Sequence, residues 1–174
     1  PSFQRYIQER SERMRAAGID LQPWVDSHLL QFHADRPSRF GLETHLVAVH
    51  RAVEKFRPDV VVIDPMTNLL MVGTQTDVRA MLTRIIDFLK MRRVTAVFTA
   101  LAPGGVEMAA TETMISSLMD TWILVTTEQL DRVRQRWIYV LKSRGMAHSD
   151  ETRQFQITSD GIDILAPQAA GGGG

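Results

Sequence analysis

The sequence has no cysteine, which excludes disulfides and cysteine-ligated zinc and fits an intracellular, cytoplasmic setting. It has no apolar run of the roughly 18 residues a membrane-crossing helix needs, so no membrane role is expected. It has no net charge, with 20 Lys and Arg against 20 Asp and Glu. A zero sum supplies no long-range attraction to nucleic acid or an acidic membrane, and nucleic acid is not an expected partner. It also gives little protection against self-association, which suits a subunit of an assembly. Pro1-Ser2-Phe3-Gln4-Arg5 lacks signal-peptide character. His28, His33, His45 and His50 lack the i, i+3 or i+4 pairing of helical metal sites. The many methionines are read as core filling.

What is present is an ordinary globular balance, 44% hydrophobic and 23% charged, in a 174-residue chain that suits one domain. Residues 2–17 read as a helix: Ser2 can cap it, Phe3, Ile7 and Met14 share a face, and Gly18 can end it. Leu29 to His33 reads as a short strand. Leu42, Leu46, Val49, Val53 and Phe56 recur at three and four, which predicts a helix over 42–56 that Pro58 stops. Val60-Val61-Val62-Ile63 is short, β-branched and wholly apolar, as for a strand covered on both faces. A helix over 76–90 follows, burying Val78, Met81, Leu82, Ile85, Ile86 and Leu89, and then a strand over Val94–Phe98. This alternation predicts an α/β fold with a mostly parallel sheet and helices on both faces. Residues 107–118 read as helix, and 122–126, 135–142, 153–158 and 163–165 as strands, with a turn at Asp160-Gly161. Their close spacing predicts an antiparallel hairpin edge. One domain over 1–166 and a flexible tail over 167–174 are expected.

Three places could carry chemistry. Asp64 directly follows the apolar strand, where the carboxyl ends of open α/β sheets bind ligands. An acid there can help hold magnesium beside nucleotide phosphates, or simply cap the next loop. Thr67 and Asn68 add a hydroxyl and an amide near the same edge. Thr99 ends the neighbouring strand and could contact the same ligand, or bond to local backbone. On an extended strand, Ile138, Val140, Lys142 and Arg144 point the same way, with Gly145 and His148 beyond. Two cations emerging there could hold an anion or merely solvate a strand end. Arg132, Arg134 and Arg136 read as a solvated hairpin tip. The phosphate-binding loop G-x-x-x-x-G-K-[ST] is missing; Gly104-Gly105, the only glycine pair before the tail, has no lysine beside it.

In order along the chain, these pieces resemble the KaiC family, relatives of RecA that form hexameric rings. The resemblance runs from about residue 2 to 165. It is carried by Gly18-Ile19-Asp20-Leu21, Trp24-Val25-Asp26, Phe56 to Asp64, Leu141-Lys142-Ser143-Arg144-Gly145 through His148, and Asp160-Gly161-Ile162-Asp163-Ile164. It implies a RecA-like three-layer core with ATP and magnesium held between adjacent subunits. Asp64 would then be the Walker B acid. Lys142, Arg144 and His148 match a K-x-R-G-x-x-H element that reaches the γ-phosphate of the neighbour's ATP. Ser116-Ser117 matches the site where clock members carry an adjacent Ser and Thr that accept phosphate. The resemblance also implies clock or signalling proteins as partners.

The family's phosphate loop and catalytic glutamates have no counterpart in these residues. The resemblance therefore implies a ring ATPase and possible Ser/Thr autokinase of which this chain alone is inactive and holds no catalytic residue. The competing reading is a degenerate RecA-like module for assembly or partner binding. A RecA-like DNA-binding protein is a third, which the neutral charge opposes.

Overall fold

The structure is a computed structural model of the chain and describes residues 3–34, 41–101, 115–130 and 132–166. The expected Ser2 cap, most of the expected helix over 107–118 and the tail lie outside these residues. The chain divides into two compact units, one of Asp35–Met119 and one of Pro1–Ala34 with Asp120–Gly174.

The Asp35–Met119 unit contains helices α3 (Leu42–Phe56) and α4 (Gln75–Met91), strands β1 (Val60–Ile63) and β2 (Thr95–Phe98), and a 3-10 helix over Met66–Met71. The first element ends as Pro58 dictates, since a residue before proline avoids the helical region; Arg57 turns left-handed at φ 53°. Helix α4 starts on a reciprocal cap between Thr74 and Asp77. Its buried face holds every expected residue, Val78, Met81, Leu82, Ile85, Ile86 and Leu89, with Phe88 added. Leu46 and Val53 of α3 are also buried. Each such side chain contributes about 1.5–3 kcal/mol when fully buried, which makes the α3–α4 contact the energetic centre of this unit. At its margin His50 stacks on Phe88, ring centroids 3.7 Å apart, and the Arg92 guanidinium lies 3.9 Å from the Phe88 centroid. Arg92 also pairs with Glu54 at 3.1 Å, and Arg84 with Glu43 at 2.9 Å, both ties from α4 or its end to α3.

Strands β1 and β2 pair in parallel, from Val60 opposite Thr95 to Ile63 opposite Phe98. The expectation that β1 is covered on both faces fails. Val61 and Ile63 are half-buried, but Val60 is 54%, Val62 60% and Val97 45% exposed. An apolar strand shows what it can tolerate beside it, not what this unit supplies.

The other unit holds α1 (Phe3–Ala16), α2 (Gln22–Asp26) and four antiparallel strands in the order β3 (Thr121–Leu130), β4 (Val133–Ser143), β5 (Arg153–Thr158) and β6 (Gly161–Ile164). Gly18 follows α1 at φ 77°, and a Cβ there would lie 2.4 Å from the Ser159 carbonyl oxygen. Glycine is thus required both by conformation and by close approach to the β5–β6 turn. The expected strand at Leu29–His33 does not form; among the described residues no strand lies beside it, and Leu29 is exposed. The fold is α/β as expected, with its parallel and antiparallel strands in two separate sheets.

Candidate functional site

Parallel pairing places the carboxyl ends of β1 and β2 side by side, and both polar residues singled out there meet. The Thr99 backbone N–H donates to the Ile63 carbonyl at 3.0 Å, and Met66 N–H donates to the Thr99 carbonyl at 2.9 Å. These bonds hold the two strand ends in register. The Thr99 hydroxyl donates to the Asp64 carboxylate. Thr99 therefore spends its hydroxyl on the acid, not on local backbone. Asp64 is exposed and Thr99 half-buried, so the carboxylate faces solvent with one side fixed. In the 3-10 helix that follows, Met66 and Leu69 are buried, anchoring the segment that carries Thr67 and Asn68.

A carboxylate oxygen is a hard donor that suits magnesium, which usually takes one or two protein carboxylates and completes its shell with water and phosphate. Among the described residues no group of three or more His, Asp or Glu forms a metal cage. Asp64 therefore offers a single exposed carboxylate at this sheet edge.

Lys142, Arg144 and His148 all lie in the other unit, on β4 and just past its end. Simple alternation does not carry through to Arg144. The β3–β4 ladder shifts between Trp122 and Ile123, so that Ile123 faces Val140 while Trp122 faces Lys142. Such a bulge re-aims the residues beyond it. Lys142 is half-buried, and β4 ends at Ser143, whose hydroxyl shares a 2.8 Å hydrogen bond with that of Thr121. Arg144 stands in the following turn, its backbone N–H donating to the Asp120 carbonyl at 2.8 Å, with its side chain exposed. Gly145 takes φ 70°, and the exposed His148 approaches the Met146 carbonyl through Nδ1 at 3.4 Å.

Ser116 is half-buried and Ser117 exposed, in a turn closed by Leu118 N–H donating to the Ile115 carbonyl at 2.9 Å. Arg79 Nη2 on α4 donates to the Ser117 hydroxyl at 3.1 Å. Sequence reasoning missed Arg79. The two residues are 38 positions apart, and no local pattern links an exposed helix arginine to a distant serine.

The family model described as the KaiC ATPase matches residues 2–169. The "Circadian clock protein KaiC2" of a Synechocystis species is 41% identical over 160 residues, covering 91% of this chain and 28% of that protein. The "Circadian clock protein KaiC3" of the same source is 28% identical over 93% of the chain and 33% of its own length. The "Circadian clock oscillator protein KaiC" of Synechococcus elongatus is 27% identical over 91% of the chain and 31% of its length. The chain thus spans a third or less of each of these relatives.

Proposed function

This chain belongs to the KaiC ATPase family, and from that premise we propose that it forms part of a nucleotide-binding ring ATPase acting in clock-type or other signalling. The observation that carries the reading is the Thr99–Asp64 pair at the joined carboxyl ends of two parallel strands. Asp64 holds magnesium there, and Thr99 fixes the carboxylate by donating to one oxygen. The ion, when bound with ATP, neutralises charge on the β- and γ-phosphates.

Lys142, Arg144 and His148 act on the nucleotide of a neighbouring copy. Arg144 offers a planar fork for phosphate oxygens and Lys142 a point charge. An element that serves the next subunit makes a heterologous contact, which closes into a ring; six copies is the family's number. Ser116 and Ser117 are the phosphoacceptor candidates if the ring is also a Ser/Thr autokinase. The protein acts in the cytoplasm.

The sequence of these 174 residues holds no phosphate loop, so the chain by itself is expected to turn over no ATP. Magnesium-dependent phosphate release from it that Asp64→Asn abolishes would overturn the reading. In the longer protein, Asp64→Asn and Arg144→Ala should each lower hydrolysis at least about a hundredfold, the scale of losing one charge-stabilising group. Mixed together, the two variants should recover part of the rate, because rings then contain sites with one intact half from each. Absence of recovery would show that Arg144 works within its own subunit. The same loop's absence supports the alternative of a non-catalytic assembly module, which would leave the longer protein's hydrolysis unchanged in both variants.

A further inference from the structure

We infer that Arg79 is the receptor for a phosphate on Ser117, so that phosphorylation fastens the Ile115–Leu118 turn to α4. This rests on the reading that the serine pair accepts phosphate, and it assigns the role to Ser117. Two other arginines on or just after α4 meet carboxylates. Arg84 pairs with Glu43 and Arg92 with Glu54, each with a carboxylate of α3. Arg79 instead gives one N–H to a neutral hydroxyl at 3.1 Å. A guanidinium has five donors in a planar fork, and one hydroxyl oxygen uses little of it. A phosphate at the same place supplies three strong acceptor oxygens and a charge near −2.

Geometry favours Ser117 over its neighbour. Ser117 and Arg79 are both exposed, so the added group has room and the pair meets in solvent without a large desolvation cost; Ser116 is half-buried. In the transfer, Ser117 Oγ bonds to the terminal phosphorus of a nucleoside triphosphate. The bond from that phosphorus to its bridging oxygen breaks, its electron pair leaves on the diphosphate, and the hydroxyl proton passes to solvent. The new ion pair then lies where the hydroxyl bond lies now. The attachment of the turn to α4 then depends on modification state.

The test installs phosphoserine at position 117 of the chain and follows its phosphorus resonance against pH. A free phosphoserine titrates near 6. Beside Arg79 the midpoint should fall by about half a unit to one unit, at or under the low end for an acid beside an arginine because both groups are exposed. Arg79→Gln should return it to the free value and Arg79→Lys part of the way, while Arg84→Gln should leave it lowered. Circular dichroism confirms that each variant folds. Equal midpoints with and without Arg79 would refute the contact. Separately, the longer protein is incubated with ATP and magnesium and its phosphate mapped. Phosphate on Ser116 alone overturns the choice of Ser117. Phosphate on neither serine counts against the autokinase reading, and the titration then decides the role of Arg79 by itself.

Discussion

At the scale of single residues, Asp20 shows how a surface carboxylate is tuned without burial. The Gln22 backbone N–H donates to its Oδ1 at 3.1 Å, and Arg15 Nη2 donates to the same oxygen at 3.2 Å. Both favour the charged form, the backbone bond foremost, and hold its pKa below the usual carboxylate range. Folding therefore makes this group bind its proton less readily. Its contribution to stability is complete above the ordinary carboxylate value and fades as pH falls through the lower folded one. Arg15→Gln should raise the Asp20 midpoint, followed by NMR titration, while leaving it below that of a free aspartate. The Gln22 N–H survives the change. A midpoint that does not move would mean that the arginine contributes nothing in solution. Asp20 stood in the sequence as part of a family signature; its bonds to positions two and five away place it as the link between α1 and α2. Thr99 was legible as a polar end to a strand, but its bond to Asp64 required knowing which strands pair.

At the scale of elements, the helices were the readable part. The three-and-four spacing of α3 and α4 located both within a residue of their ends, and each expected α4 core position is buried. The start of α4 was placed near Thr76, whereas its cap is Thr74. The Thr74 hydroxyl accepts from Asp77 N–H at 3.3 Å, and Thr74 N–H donates to the Asp77 carboxylate at 3.2 Å. Thr74→Ala should cost about 1 kcal/mol of stability, and Thr74→Ser only part of that. Far-UV circular dichroism in urea is the measurement to use, because Trp24, Trp122 and Trp137 all belong to the other unit. An unchanged midpoint would show that the cap is already lost in solution. The strands were harder to read. β3 and β4 run to ten and eleven residues, twice the expected five for the first. Beyond the expected end at Thr126 the ladder runs through a polar stretch, Thr127 to Gln129 against Arg134 to Arg136, before the exposed Leu130–Val133 pair, and backbone bonds there extend the strands without a continuous hydrophobic signal. Helix α2 was missed because five residues carry too little periodicity to detect. The Leu29–His33 error has the reverse cause: a strand needs a partner, and sequence pattern alone does not report whether one exists.

At the scale of the whole chain, the unsatisfied quantity is apolar surface on strands. Val60 and Val62 of β1 and Val97 of β2 are exposed, and register places Val62 directly opposite Val97. On the antiparallel sheet Ile123 and Val125 of β3 are 55% and 59% exposed, and β3 is an edge strand with no second partner among the described residues. A long edge with apolar side chains is a template for pairing with another chain. A net charge of zero offers no repulsion to oppose it. The chain covers a third or less of its relatives' length, so the remainder of a longer protein is the natural proposal for what shields these strands. Alone, the 174 residues should self-associate as concentration rises from roughly micromolar to millimolar. Sedimentation velocity would show this as a rising weight-average coefficient. Val62→Lys should weaken association through β1 and β2, and Val125→Lys association through β3. Lysine carries a charge that must stay hydrated, and neither valine supports a core in this chain. Both variants should therefore keep the wild-type unfolding midpoint within about 0.5 kcal/mol, as exposed substitutions usually do. A wild-type chain that stays monomeric over the whole range would mean that these strands are shielded in solution, and the exposure on which the prediction stands would be wrong.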